Sequence, residues 1–468
     1  MMKLLAAILA VLFALPLPAG ATAPPGLPAD LTSTEVSFRG EGGLELHGSV
    51  ISPANARAGR PGVVLVHGAG TGTPREKLLA EAVGAARQGL SVLIYDKRSQ
   101  GYSTTERSYP QLAEDALGAV ATLRRQPGVD PAKVGIWGLS EGGWVAPLAA
   151  TRPSSGIAFV IVVGANALSP LRQQAWAVAA GLRKAGAGGS LVGRAEPNLY
   201  RVIADGGLFP EPYHDPEPVL ARVRQPVLAI WGVHDLLTPP RETPPLFADA
   251  LEAGGNRRYT FRFFPQADHA AHLTPDGGVT RLPELAPGYA ELVGTWVGEA
   301  TSGRAPVAQV SGPAPVQAVD SFGVPPTAWW ESAAMQVVAL VLLLVAFGGY
   351  PVVALVRRVR RRDAGVPSVA ARVISAGGLV AILGGFAYLF YVIMTGGKLA
   401  APGPMLGDRP VLWLALQAVA VATVAATAVT VATWRRAGTR GERVRLGLLI
   451  AGGAVFVPWA LYWGLLLP

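Results

Sequence analysis

The stretch GIWGLSEGG, residues 135–143, sets a serine between glycines directly after an apolar run. Its centre, Gly138-Leu139-Ser140-Glu141-Gly142, is a G-x-S-x-G. A turn that needs small residues would account for the glycines. So would a nucleophile raised on a tight strand-to-helix corner. The flanks favour the corner, since 134–137 reads as a buried strand and 142–151 as a helix opening on two glycines. Gly138 and Gly142 let such a corner close. The Ser140 hydroxyl then projects at the strand's C-terminal end, near a helix N-terminus whose free N–H groups favour developing negative charge.

Working outward, apolar β-rich runs recur at 35–38, 44–51, 63–67, 92–95, 134–137, 158–163, 227–231 and 259–264. Helical patterns fall at 75–88, 109–126, 142–151, 241–253 and 287–300. Continuous runs such as VVLVHG and AFVIVVG suit strands covered on both faces. Two initial strands without a helix, then strand–helix alternation, predict an α/β fold: a mostly parallel sheet with an antiparallel start and helices on both faces. Residues 164–223 interrupt the alternation with helical patches and no clear strand, and read as a cap inserted over the C-terminal edge of the sheet. From Ala165 to Leu220 the cap holds five basic and five acidic residues, so it offers no net charge for steering an ionic substrate.

A serine nucleophile needs a base. Of six histidines, His47 sits in an early strand, His67 at a strand end, His214 in the cap and His234 beside an acid. His269 and His272 follow the last strand of the alternation, in FFPQADHAAHL, where a loop can reach over the sheet edge to Ser140. His269 comes first after the strand and is the expected base. The base needs an acid to fix its tautomer. WGVHDLLTPP places Asp235 just after the strand 227–231, whereas Asp268 adjoins the base in sequence and is poorly placed to face its ring. An oxyanion needs donors. In VVLVHGAGTG small residues expose backbone N–H groups, so Ala69 N–H, helped by Gly70, is expected to act with Glu141 N–H. No Gly-Lys-Ser/Thr follows that loop, which excludes a P-loop.

These segments, HGAG, YDKRSQGYS, GLSEGG, WGVHDLLTP and FPQADH in that order, resemble the α/β-hydrolase superfamily, in particular its esterase and serine-peptidase-like branch. The resemblance covers about residues 35–300 and implies the chain order Ser140, Asp235, His269 of that superfamily's triad. Where the family often reads D-x-R-G-x-G-x-S, Ser99 here replaces the first Gly.

The ends of the chain are different in kind. Lys3, an apolar run over 4–15 and Ala19-Gly20-Ala21 form an expected signal peptide, residues 1–21. Residues 34–301 form the expected hydrolase domain and 302–328, rich in Pro, Ala and Gly, an extended linker. Four uncharged apolar stretches follow in a membrane domain over 333–467, at 333–356, 373–394, 411–434 and 446–467. The first and third connections are rich in arginine: Arg357, Arg358, Arg360, Arg361, Arg362 and Arg372, then Arg435, Arg436, Arg440, Arg443 and Arg445. The second carries only Lys398 and Arg409. Alternation of this kind puts the first and third loops in the cytoplasm and the hydrolase domain outside. Trp329, Trp330, Trp413, Trp459 and Trp463 are then expected at the outer interface.

Composition narrows the classes. Half of the 468 residues are hydrophobic, and mean hydropathy is +0.35. From Ala334 onward there are 13 Lys/Arg against 3 Asp/Glu, so the basic character belongs to the membrane part, and a nearly neutral remainder argues against nucleic acid as partner. There is no cysteine, which excludes thiol nucleophiles and thiolate metal sites; no metal or cofactor is expected. The expected function is a membrane-tethered extracytoplasmic serine hydrolase acting on a small-molecule carboxylic ester. Two alternatives share the triad. A serine aminopeptidase would hold a free amine with acids such as Glu141, Glu196, Asp205, Glu211, Asp215 or Glu217; an acyltransferase differs only in its acceptor. A catalytically silent receptor domain is a third class, and the intact triad counts against it.

Overall fold

The computed structural model describes residues 27–360 apart from 56, 154 and 305, then 368–395, 402–436 and 439–468. The expected signal peptide lies outside the described residues, as do parts of the three connections between the apolar helices.

The strands are β1 (Leu31–Arg39), β2 (Glu45–Pro53), β3 (Arg60–Val66), β4 (Ser91–Tyr95), β5 (Val129–Leu139), β6 (Val160–Val163), β7 (Val227–Gly232), β8 (Tyr259–Phe264) and β9 (Gln309–Ser311). They form one sheet in the order β1-β2-β4-β3-β5-β6-β7-β8-β9, antiparallel at β1-β2-β4 and parallel from there on. The helices of this part are α1 (Leu79–Arg87), α2 (Tyr109–Leu123), α3 (Gly142–Ala150), α4 (Pro170–Lys184), α5 (Glu196–Asp205), α6 (Glu217–Leu220), α7 (Thr243–Ala253) and α8 (Tyr289–Thr301). The central strands run apolar without a break over 63–66, 160–163 and 227–231, where both faces are covered. Val64, Ile136, Val162 and Ala229 pack under α2, α3 and α7, while Val63, Leu65, Ile161 and Ile230 pack under α1 and α8. Strand order reverses around β3, which has β4 on one side and β5 on the other. The crevice beyond the C-terminal ends of β3 and β5 is therefore the topological switch point, where open α/β sheets bind ligands.

Residues 302–328 are largely extended, as their composition predicts, but they are bonded to the hydrolase rather than loose. β9 pairs parallel with β8, Val316 N–H donates to Val233 O (2.9 Å), and Ser321 Oγ and N–H both donate to Glu242. Proline withholds a backbone donor and interrupts helices, and the backbone groups of residues 309–311 are satisfied by the edge of the sheet.

Four helices, α9 (Ala333–Val359), α10 (Val369–Met394), α11 (Val411–Thr433) and α12 (Arg440–Tyr462), are long and apolar enough to cross a membrane. At about 1.5 Å per residue the shortest reaches roughly 35 Å. The last one departs from the expected 446–467. It starts earlier because Thr439 caps it, accepting from Glu442 N–H, and stops at Tyr462 because Gly464 turns out at φ +74° with Leu465 N–H closing on Ala460 O.

The cap sits between the two parts. Leu171, Val178, Leu182 and Leu191 share one apolar cluster with Trp413 and Phe456 of the membrane helices. Ser190 Oγ donates to Gly464 O (2.8 Å) and accepts from Trp413 Nε1 (3.2 Å), Asn198 donates to Tyr462 O (2.7 Å), and Arg201 pairs with Glu331 (2.6 Å). Trp413, Trp459 and Trp463 are thus buried, and of the five tryptophans expected at the outer interface only Trp329 and Trp330 stand exposed.

Candidate active site

Ser140 leaves β5 with φ +55°, a left-handed conformation that non-glycine residues adopt at a cost and that a sharp corner imposes. The glycines beside it are there for lack of room. A Cβ on Gly138 would lie 2.0 Å from Gly142 O, and one on Gly142 2.6 Å from Val66 O. Gly143 N–H closes the turn on Ser140 O (2.8 Å), and α3 begins at Gly142. Ser140 is itself partly exposed, while the strand behind it is buried.

Asp235 follows β7 and is fully buried. Its Oδ1 accepts from Leu237 N–H and Thr238 N–H, each at 2.8 Å, which fixes the carboxylate plane. His269 Nδ1 lies 3.0 Å from Oδ1 and 2.9 Å from Oδ2. The loop that carries His269 is forced into shape, with Gln266 and Ala271 both at positive φ. His269 Nε2 is buried and has no hydrogen-bond partner among the described residues. The ring rests on Gly164, where a Cβ would come within 2.7 Å of Nδ1 and Cε1. Gly164 directly follows Val163, whose carbonyl accepts from Ser140 N–H (2.9 Å). The structure therefore joins Asp235 to His269 directly and brings Ser140 to the neighbouring strand end. Among the described residues it shows no Ser140–His269 hydrogen bond, a contact that often tightens only when substrate is bound.

The rival side chains are occupied elsewhere. His272 Nε2 bonds Glu81 Oε1 (3.1 Å) and its Nδ1 meets Leu282 O (3.0 Å). Burial pulls the His272 pKa down, but the Glu81 hydrogen bond and charge outweigh it and raise it above the usual histidine value. Asp268 is tied to Arg281 Nε (2.6 Å) and to the N–H groups of Ala270 and His272. His67 is buried with Nε2 on Tyr95 O (2.8 Å), and burial holds its pKa down at about 4. His214 packs edge-on against Tyr109 at 4.6 Å between ring centroids.

At the expected oxyanion donors, Gly70 N–H is already given to Tyr102 Oη (3.3 Å), so it is not a spare donor. Sequence reasoning missed what surrounds Glu141. Its side chain is buried and accepts from Lys97 Nζ (2.5 Å) and from Tyr102 Oη (3.0 Å to each oxygen), and it pairs with Arg107 (2.9 Å). Burial lowers the Lys97 pKa, and the Glu141 charge opposes that. The available signal was Lys97 and Arg98 standing side by side directly after a strand buried throughout. Arg98 in turn binds Asp115 through two bonds, at 2.6 and 2.8 Å. These ion pairs shape the loop in which Ser99 replaces the family's glycine. The left-handed position falls on Gly101 (φ +67°), and Ser99 sits exposed with no positive φ.

Sheet order and the strand-to-helix corner at Ser140 make an α/β-hydrolase fold, with Ser140, Asp235 and His269 following β5, β7 and β8 in that chain order. Residues 104–281 match the profile of the prolyl oligopeptidase family. The chain is 35% identical over 121 residues to thiohydrolase aneE of Aspergillus aculeatus, covering 25% of this chain and 36% of that protein. It is 32% identical over 137 residues to polyketide transferase ATR5 of Stachybotrys chlorohalonatus, covering 28% and 44%. The chain thus spans less than half the length of these relatives. Among solved structures, an esterase from Pyrococcus furiosus aligns at 18% identity and TM-score 0.40, over 61% of this chain and 95% of that one.

Proposed function

We propose that the chain is a membrane-tethered serine hydrolase facing the exterior, which cleaves a carboxylic ester through Ser140, His269 and Asp235. The carrying observation is His269: its Nδ1 is held by Asp235 and its buried Nε2 is unpaired beside the strand end that bears Ser140. In this reading Ser140 Oγ attacks the carbonyl carbon and its proton passes to His269 Nε2. The carbonyl π electrons move onto oxygen, where Ala69 N–H and Glu141 N–H receive the charge. Collapse expels the alkoxide, which takes the proton from His269. Water, deprotonated by the same nitrogen, then releases the acid.

The amine-binding alternative loses support from the acids it would need. Glu141 is already matched by Lys97 and Arg107. Glu196 is wholly buried with neither oxygen bonded among the described residues, and burial holds its carboxyl well above the usual range. Asp205 receives Ala333 N–H and Thr327 Oγ1. A thioester substrate or a non-water acceptor would use the same acyl-enzyme, and the relatives' names, thiohydrolase and polyketide transferase, favour keeping that reading second. The exterior placement rests on the arginine-rich first and third connections and the lysine-led apolar N-terminus.

The test is fluorophosphonate labelling of the full-length protein in detergent, followed by p-nitrophenyl esters, thioesters and aminoacyl-anilides. Wild type should label at one serine and cleave esters best; Ser140→Ala should neither label nor turn over, a loss of about 10⁶ in a comparable triad. Labelling of Ser140→Ala at the wild-type rate would refute the assignment.

A further inference from the structure

Ala69 N–H and Gly68 C=O belong to one peptide unit, and in a trans peptide they point in opposite directions. Lys97 Nζ donates to Gly68 O at 2.6 Å. On the other side of Ala69, Gly70 N–H donates to Tyr102 Oη. Both holding groups converge on a single carboxylate, that of Glu141, the residue after the nucleophile. Lys97 Nζ also stands 4.1 Å from the Tyr102 ring centroid, so the two holders support each other. The side chains of Lys97 and Glu141 are 4% and 1% exposed, so these contacts act with little screening by water.

We propose that Lys97, Tyr102 and the Glu141 carboxylate are positioning residues that lock the two oxyanion donors, Ala69 N–H and Glu141 N–H, into one rigid unit. The proposal rests on the serine-hydrolase reading and adds to it why these donors hold their aim. The Gly68–Ala69 peptide is freer to flip than most, because Gly68 on one side of it has no Cβ to restrict the turn. A cation on Gly68 O fixes one of the two faces, turning Ala69 N–H away from Lys97. It also draws electron density toward that oxygen, which makes the N–H at the other end a stronger donor. The Glu141 side chain then ties the loop after β3 to the corner after β5, so the two donors keep their separation. Preorganised donors of this sort act on the transition state and leave ground-state binding almost untouched.

The experiment uses full-length protein in detergent, as wild type, Lys97→Met and Tyr102→Phe. Competent sites are counted by fluorophosphonate titration, and kcat per titrated site and KM are measured with p-nitrophenyl butyrate. Loss of one oxyanion donor costs about 10²–10³ in kcat. A donor that is present but loosened should cost less, about 10–100-fold in Lys97→Met and about threefold to tenfold in Tyr102→Phe, with KM within about twofold. A purely structural role would lower the number of titratable sites and the melting temperature while each remaining site turned over at the wild-type rate. That result would overturn the proposal. Should Lys97→Met fail to fold, Tyr102→Phe decides alone, since it removes one hydroxyl, and wild-type turnover per site there refutes the lock. A wild type that takes no fluorophosphonate refutes the hydrolase reading and the lock with it; a labelled wild type matched by both variants refutes the lock only.

Discussion

Replacing Asp235 by Asn should silence the site by reversing a proton rather than by disturbing the fold. The two side chains have the same shape, and the surrounding donors decide how the amide must lie. Oδ1 of Asp235 already accepts from Leu237 N–H and Thr238 N–H at 2.8 Å each. An asparagine has to put its oxygen there. The opposite orientation would set the NH2 group against two backbone donors, leaving each unsatisfied at about 1–3 kcal/mol. The NH2 group therefore takes the place of Oδ2, 2.9 Å from His269 Nδ1. Nδ1 then faces an N–H at 2.9 Å where a carboxylate oxygen stood, which favours Nδ1 as acceptor and the ring proton on Nε2, and a protonated Nε2 cannot take the proton of Ser140.

The expected loss is about 10⁴ in kcat, the cost seen when a triad histidine is held in the wrong tautomer. That corresponds to about 5.4 kcal/mol at roughly 1.36 kcal/mol per tenfold. KM should stay within a fewfold of wild type and the melting temperature close to it, because every hydrogen-bonding position stays filled. The assay is turnover of a p-nitrophenyl ester by the full-length protein, with thermal melts alongside. A variant that melts like wild type and loses less than tenfold in kcat would show that Asp235 does not orient the base. Asp268→Asn serves as the contrast: it breaks the Arg281 pair and should act through stability.

Three further expectations follow from the same geometry. His272 has a raised folded-state pKa, so the His272–Glu81 pair contributes stability that is full below the unfolded histidine value of about 6.5 and is lost as pH rises through the higher folded value; melting temperature should fall over that interval in wild type and stay flat in Glu81→Gln, and an equal fall in both would refute it. Deleting residues 333–468 should leave a protein that aggregates or binds a hydrophobic dye, because the cap residues Leu171, Val178, Leu182 and Leu191 lose their cover; a monomeric, dye-negative product by light scattering would count against the shared core. A periplasm-active reporter fused after Thr301 or after Pro468 should be active and one after Asp363 silent, while activity at Asp363 would invert the orientation.

The parts of the fold that could be read directly were those fixed by local rules. An apolar strand, a serine between glycines and a helix start leave few alternatives to the corner at Ser140, and the loops after β7 and β8 place Asp235 and His269 by chain order. The rest depends on pairing across the chain. The one local sign at Lys97 is its place beside Arg98 just beyond an apolar strand, and its pairing is not local, since Glu141 lies 44 residues away and only the sheet brings them together. The same holds for residues 309–311, which look like linker until β8 offers them an unpaired edge. Trp413 and Trp463 carry the composition of interfacial residues, and the cap that buries them lies more than 200 residues earlier in the chain.

That burial changes how the two halves relate. A tether would need only length and flexibility, and residues 302–328 have the composition for it. Yet Arg172 on α4 binds Glu242 and Ser321 on the sheet side, while Ser190 and Asn198 bind Gly464 and Tyr462 at the end of α12 and Arg201 binds Glu331 just before α9. The cap is therefore held from both directions. The core under α4 and α5 is not the core of the sheet, since their apolar cluster is continuous with the apolar helices α9–α12 and separate from the clusters on the two sheet faces. A cap that moved with the hydrolase alone would have to break that cluster, and burying a single leucine is worth about 1.5–3 kcal/mol. On the sheet side the cap is joined by Arg172–Glu242, by the small cluster of Trp176, Ala177 and Ala180 with Leu237 and Val319, and by Val219 and Leu220 of α6, which sit in a cluster of the sheet itself. The cap is thus divided: α4 and α5 share their core with the apolar helices α9–α12, and α6 shares its core with the sheet.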